Sequence, residues 1–118
     1  EFDPTNYISY YNRGVSKYDL KDFNGAISDF NKAIEIDPKK IMPWEGRGLV
    51  KFELKDFYGS ISDQTKVIEL NPKNSGAYLN RALSKYLLGD TNGACSDGKI
   101  SAGLGSKKAE DFISSFCK

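Results

Sequence analysis

Histidine is absent from the 118 residues. That removes the commonest general base and the commonest metal ligand together. Neither a Ser/His/Asp nor a Cys/His catalytic arrangement can be assembled without it. Cysteine occurs only as Cys95 and Cys117, too few for a structural zinc site unless other ligands join them. Gly-rich phosphate or dinucleotide loops are missing as well. No apolar run approaches the ~20 residues of a membrane-spanning helix, so insertion into a membrane is not expected. Lys+Arg number 17 against 16 Asp+Glu, a net charge of +1, which lacks the basic excess of a nucleic-acid-binding face. We therefore expect no enzymatic activity, no cofactor, no metal and no nucleic-acid partner. A signal peptide and an initiator Met are also missing, which suggests a processed form or a piece of a longer protein. Glu1-Phe2 reads as a cloning remnant and is left out of the fold reasoning.

What the chain does have is periodicity. Residues 7–40, YISYYNRGVSKYDLKDFNGAISDFNKAIEIDPKK, align with residues 41–74, IMPWEGRGLVKFELKDFYGSISDQTKVIELNPKN, and about half the positions are identical. Residues 75–108 continue in register, with the match weakening after Asp97. In the second half of each unit apolar residues recur at helical spacing: Phe23, Ile27, Phe30 and Ile34, then Phe57, Ile61 and Ile68. Asp22, Asp56 and Asp90 stand where N-caps are wanted, and Pro38 and Pro72 where helices should stop. The pattern predicts helices at about 6–20, 23–36, 41–54, 57–70, 75–88, 91–103 and 106–117. Ala109, Phe112, Ile113 and Phe116 give the last of these one apolar stripe, as a terminal element closing an array requires.

Large aromatics at Tyr10, Trp44 and Tyr78, small residues at Gly14, Gly48 and Ala82 and at Ala26, Ser60 and Ala94, and a unit length of 34 resemble the tetratricopeptide-repeat family. The resemblance implies an all-α, right-handed superhelical solenoid and one domain over 1–118. Its repeats fall at about 7–40, 41–74 and 75–105, with a capping helix at about 106–117. Departures from the family pattern are Gln64 and Gly98 where Phe30 stands in the first unit, and Ser106 in place of the closing proline. The resemblance implies a protein–protein interaction module, an adaptor or scaffold that holds a peptide or protein segment in its concave groove. Two alternatives stay open: a self-assembling structural module, and a fragment of a larger scaffold. A monomer is the expected state, with self-association as the alternative.

The family's ligand-facing positions fall on Tyr11, Asn12, Val15 and Tyr18; Glu45, Leu49 and Phe52; and Leu79, Asn80, Leu83 and Tyr86. Tyr18, Phe52 and Tyr86 share one position, and for them packing between neighbouring repeats is an equal alternative. The subfamily that clamps a chaperone's C-terminal carboxylate does so with Lys, Asn and Arg at positions that here hold Tyr11, Val15, Gly46, Gly76 and Asn80. A chaperone-tail clamp is therefore not expected. Arg13, Arg47 and Arg81 replace the usual family leucine, and Asp29, Asp63 and Asp97 recur sixteen residues later. Unpaired burial of a charge is costly. The co-occurrence points to structural ion pairs, against the alternative of an arginine row gripping an acidic ligand.

Cys95 and Cys117 lie at comparable distances from the Leu104-Gly105 turn on two helices expected to run antiparallel, which allows a disulfide. Two reduced cysteines acting as small apolar packers remain the alternative. The compartment is open: cytoplasmic for free thiols, periplasmic or secreted for a bridge.

Overall fold

The computed structural model describes residues 1–118 as seven helices without a strand: α1 Tyr7–Asp19, α2 Phe23–Ile36, α3 Ile41–Glu53, α4 Phe57–Leu70, α5 Ser75–Leu87, α6 Thr91–Gly103 and α7 Lys107–Phe116. The expected boundaries agree with these to within a residue or so, because the chemistry that starts and stops each helix repeats with the unit. Asp22, Asp56 and Asp90 accept the backbone N–H of Gly25, Gly59 and Gly93 at 3.0, 2.9 and 2.9 Å. Asn6, Asn74 and Ser106 cap α1, α5 and α7 in the same way. Each cap satisfies one of the N–H groups that a helix start leaves without a partner. At the other end, Asp37 and Asn71 turn to extended backbone immediately before Pro38 and Pro72, as the residue before proline must.

Within a pair, the turn is made by one residue in the left-handed region: Lys21 and Lys55 at φ 63°, Gly89 at φ 89° and, between α6 and α7, Gly105 at φ 102°. Successive helices pack on each other along the chain, and α1 also touches α3, as α3 touches α5. Helices α1, α3 and α5 thus lie side by side on the inner face, and the molecule extends over 50 × 25 × 20 Å.

Small residues make the close approaches. Ala26, Ala33, Ala82, Ala94 and Ala109 are all buried. Phe30 of α2 is the largest fully buried side chain. It occupies space left by two glycines: a Cβ on Gly14 would stand 2.8 Å from its ring, and one on Gly46 2.7 Å. At the equivalent place in the second pair, the Gln64 amide lies against Gly48. In the third pair the position is Gly98, and Phe112 and Ile113 of α7 fill the gap.

Candidate functional site

The inner face carries an open cleft of about 370 Å³. Tyr11, Val15, Tyr18 and Asp19 of α1 form one wall, and Glu45, Gly46 and Leu49 of α3 the other; Phe30 lies beneath, and Gly76 and Asn80 of α5 close one end. Helical spacing of three and four residues puts each wall on a single face. Gly46 makes room for the Phe30 ring beneath, and Gly76 carries no side chain to narrow the end of the cleft. Leu49 is 41% exposed although its neighbours are largely apolar. Tyr11 packs on Phe30 with ring centres 5.7 Å apart, and Tyr18 on Phe23 at 5.7 Å. Desolvation pushes the Tyr11 phenol up from its ordinary value, and Glu45 adds to the shift. Tyr18 is raised in the same sense, first by desolvation, then by Glu53 and Asp19. Negative charge and an apolar surface meet at both phenols.

Not all the expected groove residues line this cleft. Asn12 is exposed outside it. Phe52 pairs edge-on with Phe57 at 5.4 Å. The third unit departs most from the expectation of an open trough. Leu79, Leu83 and Tyr86 pack with Phe112, Ile113 and Cys117 against the buried Ala82 and Ala94. Tyr86 meets the Phe112 and Phe116 rings at 5.8 and 4.6 Å. The apolar stripe of α7 is laid on these residues, so this end of the inner face holds the terminal helix.

Arg13, Arg47 and Arg81 each make a two-pronged bond to Asp29, Asp63 and Asp97, with N···O distances of 2.7–3.0 Å. Each aspartate is at most 3% exposed and takes a second cation, from Lys17, Lys51 and Lys85. The remaining guanidinium nitrogens tie pair to pair: Arg47 donates to Asn31 at 2.8 Å and Arg81 to Thr65 at 3.2 Å. Arg47 also lies over Trp44 at 4.9 Å and Arg81 over Tyr78 at 5.6 Å. With these donors engaged within the chain, the arginines do not form a free row for an acidic ligand. Burial pushes the Asp29 and Asp97 carboxyls up, but Arg13 with Lys17, and Arg81 with Lys85, outweigh it and hold both below the usual carboxylate value.

The lysines, Asn31 and Thr65 escaped sequence reasoning, although a lysine recurring four residues after each arginine was a readable signal. Phe2, set aside at first, packs edge-on against Tyr10 at 4.8 Å with the Arg13 guanidinium over its ring at 4.3 Å. Cys95 and Cys117 are bonded, with Cα atoms 5.7 Å apart. No three His, Cys, Asp or Glu side chains converge in metal-binding geometry. No helix is long and apolar enough to cross a membrane.

Residues 7–40 match the family model of the tetratricopeptide repeat. The first tetratricopeptide-repeat domain of Spaghetti (RPAP3), solved with the HSP90 peptide SRMEEVD, superposes with a TM-score of 0.89 at 20% identity, over 98% of this chain and 93% of that one. The fold is that of a tetratricopeptide-repeat domain. The corresponding domain of Arabidopsis OM64 gives 0.86 at 23% identity, over 92% of each chain. MamA gives 0.85 at 23% identity, over 92% of this chain and 63% of that one. A comparison with curated protein sequences finds no match. Along the tetratricopeptide-repeat array, the inner-face cleft lies between the first two helix pairs, away from the end that α7 covers.

Proposed function

We propose that this domain is a protein–protein interaction module, and that its ligand is a peptide segment held in the cleft between α1 and α3. The observation that carries this is the cleft itself: Leu49 is exposed beside Val15 and Tyr11 over the buried Phe30, on a face made concave by the packing of α1, α3 and α5. Apolar surface kept accessible in a rigid groove is what a desolvated anchor residue of a partner requires. Tetratricopeptide-repeat domains are interaction modules as a class, and the Spaghetti domain's structure holds a peptide. That peptide is acidic, whereas the cleft here presents Asp19 and Glu45. The ligand chemistry therefore differs.

Leu49→Arg places a bulky charge at mid-cleft without touching a core residue. The partner retained from native extract by the wild-type domain should be lost by Leu49→Arg, while far-UV circular dichroism stays the same. Retention of the same partner by the folded variant would end the groove reading. Self-assembly is the competing reading, and light scattering across concentration separates it from a monomeric adaptor. The Cys95–Cys117 bond supports a location in an oxidising compartment, periplasmic or secreted.

A further inference from the structure

The charge of the cleft carries the reading one step further, to the chemistry of the ligand. Asp19 and Glu45 line the main cleft, and Asp19 and Glu53 line a shallower hollow adjoining it beside Tyr18. None of the three carboxylates is in an ion pair. Glu45 accepts one hydrogen bond, from the neutral Asn74 amide at 2.9 Å. Lys21 is the one cation on the hollow. Asp19 and Glu53 are the last residues of α1 and α3, so two helix C-termini add their negative poles at the same rim.

Apart from Lys21, the cations packed against this face are already paired. Lys17, Lys51 and the arginines are engaged by Asp29 and Asp63. The whole chain has a net charge of +1, so the unpaired carboxylates at this rim are a local excess and not part of a uniformly acidic surface. The raised phenols of Tyr11 and Tyr18 register the same field, after desolvation. A partner whose carboxylates approached this rim would meet three like charges against the single cation of Lys21.

We propose, resting on the groove reading above, that the ligand is a partner segment in which an aliphatic or aromatic side chain is flanked by lysine or arginine. The apolar side chain enters between Val15, Phe30 and Leu49, and the flanking cations pair with Asp19, Glu45 and Glu53. The apolar contact supplies most of the affinity, and the exposed charge pairs select the partner and speed its approach.

Three fluorescein-labelled synthetic peptides of equal length test this by fluorescence anisotropy. One spaces Leu and Lys among Gly and Ser, one has every Lys replaced by Glu, and one has every Leu replaced by Ser. The Leu/Lys peptide should bind at least about tenfold more tightly than either of the others, and added salt should weaken it. Asp19→Asn with Glu45→Gln and Glu53→Gln should weaken the Leu/Lys peptide by about tenfold. Should the triple variant unfold, Asp19→Asn with Glu53→Gln gives a smaller loss in the same direction. Leu49→Ser removes the apolar anchor and leaves the charge, and should also weaken the Leu/Lys peptide. Equal binding of the Leu/Lys and Leu/Glu peptides, both lost in Leu49→Ser, overturns the charge proposal and keeps the groove. Binding of the Leu/Lys peptide that Leu49→Ser does not change overturns the groove itself. No binding of that peptide to the wild type overturns the proposal.

Discussion

The first and last helix pairs close the same interhelical slot by different means. In the first pair α2 supplies its own plug: Phe30 fills the room left by Gly14 and Gly46 and is 1% exposed. In the third pair the same position is Gly98, and the plug comes from outside, as Phe112 and Ile113 of α7. The first pair is therefore complete without the C-terminus, while the third depends on a ten-residue helix that is itself tied back through Cys95–Cys117. An array whose contacts run only between neighbours can make this exchange without disturbing the distant units. The consequence reaches the inner face. Where α2 plugs its own slot, the cleft above lies between α1 and α3; where α7 supplies the plug, its stripe also packs on Leu79, Leu83 and Tyr86, and the hollow of about 310 Å³ left there is walled by Leu79, Leu83, Phe112 and Phe116.

The same contrast appears in the ion pairs and gives the largest expected effect. Arg81 has 18% of its side chain exposed against 46% for Arg13, although Asp97 and Asp29 are equally buried. Asp97→Ala strands Arg81 and Lys85 in a half-buried place and should cost about 3–5 kcal/mol, with Asp29→Ala costing roughly half as much because Arg13 can turn to water. Replacing Arg81 and Asp97 together by Leu should recover much of the loss, since the stranded guanidinium is gone and Lys85, 24% exposed, can turn to water. Because both aspartates have folded pKa values below the ordinary 3.8, their pairs stabilise fully above that value. The contribution is lost as pH falls through it toward the folded value. The difference in melting temperature between wild type and Asp97→Asn should therefore stay level from neutral pH to about 4 and shrink below it. Equal costs for Asp29→Ala and Asp97→Ala would erase the distinction between the two ends.

Much of this was legible before the structure, and the reason is repetition. A cap or an Arg–Asp pair that recurs every 34 residues is a signal read three times over, and the closing proline one read twice. Asp22, Asp56 and Asp90 announced helix starts that way. Lys17, Lys51 and Lys85 recur equally well, but a lysine on a helix surface carries no message until its partner's place is known. The placement of α7 was half legible. Its stripe shows that one face must be buried, and nothing in a stripe states against what, so Leu79 and Leu83 read as open groove, and Tyr86 as either groove or packing between repeats. Phe2 sits outside the period, and no repeat could vouch for it.

The disulfide sharpens the comparison next. It closes a loop with a sequence separation of 22, and removing such a link costs about 3 kcal/mol by loop-closure entropy. In Cys95→Ser/Cys117→Ser the loss should be local. Native-state hydrogen exchange should show the amides of α7 and then α6 losing protection while α1 and α2, with Phe30 in place, keep theirs. Uniform loss along the chain would show that the third pair is no more dependent than the first. Counting free thiols in the denatured native protein, alkylated without reductant, tests the compartment at the same time; two free thiols remove the argument for export.

The smallest effect lies in the turns. Lys55 and Gly89 hold the same place in successive units, both with φ in the left-handed region. A side chain there crowds the following carbonyl, at about 1–2 kcal/mol relative to the right-handed region, whereas glycine has no Cβ to crowd. Gly89 has nothing within 4 Å of where a Cβ would stand, so the strain at this position is one of backbone and not of space. Glycine's freedom in the unfolded chain offsets part of the gain. Lys55→Gly should therefore stabilise by about 0.5–1 kcal/mol, and Gly89→Lys should destabilise by a similar amount. The control is Lys32→Gly, an exposed position inside α2, where the same replacement should destabilise by about 1 kcal/mol through helix propensity. Opposite signs for Lys55→Gly and Lys32→Gly in thermal melts would locate the effect in the left-handed turn. If both destabilise, the turn lysines are unstrained, and the glycine at the third pair's turn confers no advantage over the lysines of the first two.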